Sequence, residues 1–135
     1  MSGPERSGGD GMSALVIGPL TRTDLVRYQG ASGDFNPIHH DETFARASGL
    51  DAPLSLGMLQ AGFLATWATD RFGAAGVRAF RVRFAARVFP GDTVTCDGTV
   101  TARRAGEFDV EMTCTKQDGT VAVYGWATFA TDGDQ

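Results

Sequence analysis

From Gly57 to Phe72 the chain reads G-M-L-Q-A-G-F-L-A-T-W-A-T-D-R-F, a run that is apolar on nearly every side once wound into a helix. A helix of that kind belongs in an interior, so other elements must wrap it. The residues that follow supply the wrapping. In Val77–Val88 the pattern changes to period two, with Phe80, Val82, Phe84, Ala86 and Val88 on one side and Ala79, Arg81, Arg83, Ala85 and Arg87 on the other. That alternation predicts a strand with one buried face. Pro90-Gly91-Asp92 turns the chain into a second strand, about Thr93 to Arg103, and a glycine-containing turn at Arg104–Glu107 leads to a third, Phe108 to Lys116. Gln117-Asp118-Gly119-Thr120 carries an Asp-Gly hairpin signal before the last strand, Val121 to Thr131. The expected class is α+β, an antiparallel sheet folded about one long helix.

Ahead of that helix, Ala14–Leu20 reads as an edge strand or lead-in. Thr21 offers a capping hydroxyl, and Asp24 places an acid three residues on, so a helix is expected from about Arg22 to Gln29. Asp41 can cap a second short helix, Glu42 to Ala47, stopped at Gly49. Leu50–Leu56, with Pro53, reads as a connection into the core. A chain of 135 residues suffices for one domain with a core of its own. The expected division is a tail over residues 1–13 and a domain over 14–131. The tail has no basic start or apolar stretch of a secretory signal, so the cytoplasm is the default location.

Composition excludes several functions. A net charge of −4 does not suit a phosphate-backbone surface, and no apolar run reaches the roughly 20 residues of a membrane-spanning helix. Neither nucleic acid nor membrane is expected as a partner. Cys96 and Cys114 lie in strands without C-x-x-C spacing or adjacent histidines, which reads as core filling rather than a metal or redox site.

The segment Tyr28–Asp41, Y-Q-G-A-S-G-D-F-N-P-I-H-H-D, carries the chemistry. Asp34 and His39 are five positions apart. A continuous helix would point them to opposite sides, and Pro37 would break it. An irregular loop can instead aim both at one point, with Asn36 bonding neighbouring backbone and Ser32 or Tyr28 as further support. His40 is assigned to the surface. Adjacent histidines on extended backbone diverge, so His39-His40-Asp41 is a poor metal site.

The run S-G-D-F-N-P-I-H-H-D resembles the signature of the MaoC-like dehydratases, or (R)-specific enoyl-CoA hydratases. The likeness extends from about Leu20 to Phe129, through the Gly57–Leu59 helix start and the F-x-x-R-V-F-P-G-D segment at Phe84. The resemblance implies a single hot-dog fold that is at least dimeric, as a homodimer or a heterodimer. It also implies a hydro-lyase without cofactor or metal, interconverting trans-2-enoyl and (R)-3-hydroxyacyl thioesters of CoA or acyl-carrier protein. Asp34 and His39 would polarise the water together, and the backbone N–H of Gly57 would hold the thioester oxygen. An unpartnered N–H at a buried helix start suits that task, and glycine allows close approach.

The chain departs from the family pattern at one point, with Leu56-Gly57-Met58-Leu59 where relatives carry His-Gly-Met-Leu. Arg81, Arg83 and Arg87 are candidates to meet substrate phosphates, against the plainer reading of a solvated sheet face. Met58 is a candidate for lining an acyl pocket, whereas Phe63, Trp67 and Phe72 read as core. Two alternatives remain at this level: a subunit of a heteromeric or secondary-metabolism dehydratase, and a hot-dog thioesterase, whose helix acid would have to be Asp70.

Overall fold

The structure, a computed structural model, describes residues 13–131, so the tail expected over 1–13 lies outside the described residues apart from Ser13. Five strands form one antiparallel sheet in the order β1-β3-β4-β5-β2, comprising β1 (Leu15–Ile17), β2 (Val77–Phe84), β3 (Val94–Arg104), β4 (Glu107–Lys116) and β5 (Val121–Ala130). The long helix, α3 (Gly57–Phe72), lies against one face. Its Leu64, Trp67 and Ala68 pack on Val94, Cys96, Val110, Met112, Cys114, Val123, Ala127 and Phe129. Two glycines let helix and sheet approach. A Cβ on Gly98 would lie 2.9 Å from the Trp67 ring, and one on Gly125 would lie 3.1 Å from Leu64 Cδ1. This is the hot-dog arrangement.

The helix α1 (Arg22–Ser32) begins with the expected capping box: Asp24 N–H donates to Thr21 Oγ1 at 3.0 Å, and Thr21 N–H donates to Asp24 Oδ2 at 2.8 Å. It runs three residues past Gln29. The stop is Gly33, whose φ of +79° suits a residue without Cβ and whose N–H returns to Gln29 O. Asp41 caps α2 (Glu42–Ala47), its Oδ1 accepting from Phe44 N–H.

Two expectations are corrected. The sheet covers only one side of α3, so the helix is not buried all round: Met58 is 58% exposed, and Gly62 and Thr66 face outward with it. The strand expected over Val77–Val88 ends at Phe84, because the N–H groups of Ala85 and Ala86 both reach Ala122 O and the ladder breaks there. As an edge strand β2 leaves its expected buried face half open, with Phe80 38% and Phe84 51% exposed. Only Val88, beyond the break, is sealed in the core.

Cys96 and Cys114 are direct register partners on β3 and β4, and both are fully buried. Hydrogen bonding with Cys114, together with burial, pushes the Cys96 thiol up, and both side chains pack within the apolar core. Among the described residues, no helix is long and apolar enough to cross a membrane.

Candidate active site

Gln29 organises the segment between α1 and α2. It follows the buried Leu25 by four residues, which turns it toward the protein interior, and it is itself buried. Its Nε2 donates to Asp34 O at 2.9 Å and to Asn36 O at 3.2 Å. Its Oε1 accepts from His40 Nδ1 at 3.0 Å. Local side-chain bonds complete the shape. Ser32 Oγ accepts from Asp34 N–H, Asp34 Oδ1 from Asn36 N–H, and Asn36 Oδ1 from Ile38 N–H. The last bond caps one 3₁₀ turn, Pro37–His39, so the segment is less irregular than expected. Pro37 sits at the start of that turn, where an N–H is not required.

The turn folds His39 back toward Asp34. His39 Nε2 lies 3.9 Å from Asp34 Oδ2, the imidazole side chain being 11% exposed and the carboxylate 52%. The other ring nitrogen, Nδ1, is 2.6 Å from Leu54 O. A carbonyl oxygen only accepts, so Nδ1 carries a proton, and in the tautomer with that single ring proton Nε2 turns a lone pair toward Asp34. At 3.9 Å the two groups do not bond directly. Both are acceptors, and a water between them can donate one hydrogen to each.

The carbonyl that fixes His39 belongs to the segment leading into α3. Leu54 N–H donates to Ile38 O at 2.9 Å, and Ser55 N–H donates to Val88 O at 2.8 Å. Leu56 then stands at the helix N-cap with extended backbone and no side-chain cap. The Gly57 N–H therefore opens α3 without an acceptor inside the helix, at the positive end of its dipole. A Cβ on Gly57 would come within 3.0–3.3 Å of the Phe84 ring. Leu54, Ser55, Gly57, Gln60, Phe84 and Arg87 line a cleft of ≈ 270 Å³ here. A larger depression, ≈ 590 Å³, crosses the outer sheet face between Asp97, Glu111 and Trp126 and touches none of these groups.

The other expected residues fall in different places. Tyr28 lines an apolar groove with Leu20, Leu59 and Phe63, and its neighbour Gln29 makes the hydrogen bonds to the segment between α1 and α2. Arg81 and Arg83 lie on the sheet face away from α3, each stacked at 4.6 Å over a ring, Trp126 and Tyr124 respectively. Arg87 does not share their strand. It follows the break after Phe84 and lines the cleft. Met58 is not among the residues lining the cleft. His40 is exposed, as expected, although one nitrogen is engaged by Gln29. Leu56, the departure from the family pattern expected at this helix start, is buried and presents no polar group there.

Among the described residues no group of His, Cys, Asp or Glu could hold a metal ion. Sequence reasoning passed over Gln29 and the buried pair Ser55 and Gln60. The signal for Gln29 was its spacing from Leu25. For Gln60 it was a polar residue inside an otherwise apolar helix.

The profile described as MaoC like domain matches residues 13–122. The chain belongs to the MaoC-like family. An (R)-specific enoyl-CoA hydratase from Rhodospirillum rubrum is 32% identical over 123 residues, covering 88% of this MaoC-like chain and 85% of that protein. The solved (R)-hydratase of A. caviae involved in PHA biosynthesis superposes with a TM-score of 0.78 at 25% identity, over 93% of this chain and 98% of that one. The ChsH1-ChsH2 complex from Mycobacterium tuberculosis contains a chain of the same fold, with a TM-score of 0.80 at 24% identity over 89% and 94% of the two chains.

Proposed function

We propose that this MaoC-like domain is a hydro-lyase that interconverts trans-2-enoyl and (R)-3-hydroxyacyl thioesters. The observation that carries this reading is His39 Nε2 held 3.9 Å from Asp34 Oδ2, with its Nδ1 2.6 Å from the Leu54 carbonyl oxygen. A water seated between them donates both its hydrogens and turns its own lone pairs toward a substrate. In the hydration direction, the water oxygen bonds to C3 as one O–H bond breaks, and the released proton passes to the Asp34/His39 pair. Electron density from the C2–C3 double bond moves to the thioester oxygen, which the Gly57 N–H stabilises as an enolate. The pair then returns one proton to C2, which restores the site. Dehydration is the same path in reverse.

Arg87 lines the cleft, which favours it for the phosphates of CoA or of an acyl-carrier protein over Arg81 and Arg83, which stack on aromatic rings on the other face. The unpaired β2 edge and half-exposed Phe80 and Phe84 support a dimer or higher oligomer, and likeness to a chain of a two-component complex keeps a heterodimer as the second arrangement. The thioesterase alternative finds no matching acid, since Asp70 on α3 stands thirteen residues, about 20 Å, from Gly57.

The test is loss of conjugated absorbance with crotonyl-CoA and longer enoyl-CoA substrates. Asp34→Asn and His39→Ala are each expected to lower turnover at least about a hundredfold with thermal unfolding nearly unchanged. Free thiol released from wild type without loss of the double bond would overturn the reading.

A further inference from the structure

Two polar side chains buried at the start of α3 have no part in the reaction as described above. Ser55 and Gln60 are each only 3% exposed. Gln60 is the fourth residue of α3, and helical side chains lean toward the helix N-terminus, so its amide overlies the first turn, beside Gly57. Ser55 Oγ–H donates to Gln60 Oε1 at 2.6 Å. That bond sets the amide's orientation: Oε1 faces Ser55, and the two N–H donors of Nε2 face the other way. Among the described residues Nε2 has no acceptor, yet it is not sealed from solvent, and Gln60 lines the same cleft as Gly57. An amide donor held in one orientation by a buried hydroxyl, with its unbonded side at a cleft, is set to meet an acceptor that enters that cleft.

We propose that Gln60 Nε2 is a second donor to the thioester carbonyl, converging on it with the Gly57 N–H, and that Ser55 is the positioning residue that aims it. The inference rests on the enoyl-thioester reading. A carbonyl oxygen has two lone pairs, and the charge it gains on enolisation is stabilised most when both meet donors fixed in advance. Leu56 offers no polar group to the cleft, so the side-chain donor comes instead from one helical turn further on.

The full chain is assayed in two ways. In steady-state hydration of crotonyl-CoA, Gln60→Leu is expected to lower kcat by about a hundredfold, the scale of one lost oxyanion donor, with KM changed less than about threefold. Ser55→Ala, which frees the amide without removing it, is expected to lower kcat by about tenfold. Gln60→Glu guards against a folding defect: its carboxylate repels the enolate, so its activity relative to wild type at the same pH should be lowest at neutral pH and rise toward acid, where a protonated acid can donate. The second assay reads binding of hexa-2,4-dienoyl-CoA to Asp34→Asn, whose bound absorbance should move to the red as its carbonyl is polarised. Adding Gln60→Leu should cut that displacement by about half, as expected when one of two donors is lost.

If Gln60→Leu keeps its kcat within about twofold and the full displacement while wild type hydrates, Nε2 holds only a water and the inference fails alone. If wild type neither hydrates enoyl-CoA nor perturbs the dienoyl chromophore, the thioester reading fails and takes the inference with it.

Discussion

At the start of α1, Thr21 and Asp24 exchange two hydrogen bonds and close the helix with the chain's own side chains; at the start of α3, Leu56 brings no side-chain cap at all. The capped end is exposed to water, which could have satisfied it. The uncapped end is the more enclosed, with Leu56 almost fully buried, and there an unmet donor costs more. A fold selected for stability alone would reverse this distribution. The same connection anchors both starts, since Val88 O receives Ser55 N–H ahead of α3 and Asp92 O receives Leu20 N–H ahead of α1. The contrast therefore lies in the caps rather than in the scaffold beneath them. One helix start is closed by the chain's own side chains, and the other leaves its first N–H free for the role proposed above.

The largest expected effect comes from removing the open donor while leaving the helix intact. Proline is favoured at the first helical position, and Leu56 already has the extended backbone that must precede it. Gly57→Pro should therefore keep α3, with the exposed Phe84 ring turning aside, yet lower enoyl-CoA turnover by about 10²–10³-fold. Circular dichroism and steady-state kinetics on one preparation check both halves. Turnover within tenfold of wild type would mean that the Gly57 N–H is not the oxyanion donor.

Next in size is Gln29→Leu, which disturbs the segment running from the closed helix toward the open one. The substitution preserves bulk but leaves Asp34 O, Asn36 O and His40 Nδ1 without their shared partner. Turnover should fall about tenfold and stability by about 1–3 kcal/mol, read from kcat and from denaturant unfolding. A loss of stability with unchanged turnover would show that the Asp34–His39 geometry is held without Gln29, by the Ser32, Asn36 and Leu54 bonds.

How far these features could be read from the sequence depended on whether each signal was local. The Thr21–Asp24 box, the Asp118-Gly119 hairpin and the Asp41 cap are decided within four residues and stand as expected. The spacing of Asp34, Pro37 and His39 ruled out a continuous helix and allowed a bend to aim acid and imidazole at one point, and they stand 3.9 Å apart. What failed needed knowledge of neighbours distant in sequence. The alternation through Ala85 and Ala86 continues in the sequence, but both N–H groups meet Ala122 O across the sheet, so β2 stops and Arg87 parts from Arg81 and Arg83. Tyr28 and Gln29 are adjacent on a helix, about 100° apart, and only the position of the core decides which of them faces the catalytic segment. Alternating apolar residues report that a face wants covering, and Phe80 and Phe84 show that the cover need not come from within the chain.

Thr21→Ala tests the closed end, and its expected effect is opposite in kind to that of Gly57→Pro. Losing the hydroxyl that accepts from Asp24 N–H should cost about 1 kcal/mol and lower the unfolding midpoint by about 2–8 °C, with turnover at low temperature unchanged. Together the two substitutions form a double dissociation, one removing stability without activity and the other activity without stability. A drop in kcat for Thr21→Ala would mean that the two helix starts are coupled through the Val88–Asp92 connection.

The smallest effect probes that connection itself. Asp92 accepts from Phe89 N–H at 2.9 Å and from Gln117 Nε2 at 2.8 Å, with Lys116 Nζ at 3.3 Å. Burial raises its carboxyl pKa, but the bonds from Gln117 and Phe89 and the nearby Lys116 charge outweigh it and hold the group below its usual range. A carboxyl depressed on folding contributes stability that is present above its unfolded value, about pH 3.9, and is lost as pH falls through the lower folded value. Wild type should therefore unfold about one to three degrees above Asp92→Asn at pH 6, and the gap should close as pH falls from the unfolded value through the lower folded one. Asparagine's oxygen can still accept from Phe89 N–H, so that bond survives the substitution while the charge does not. A gap that stays constant with pH would accordingly assign the anchoring to the shape of the Gln117 contact, and a gap that closes assigns it to the carboxylate.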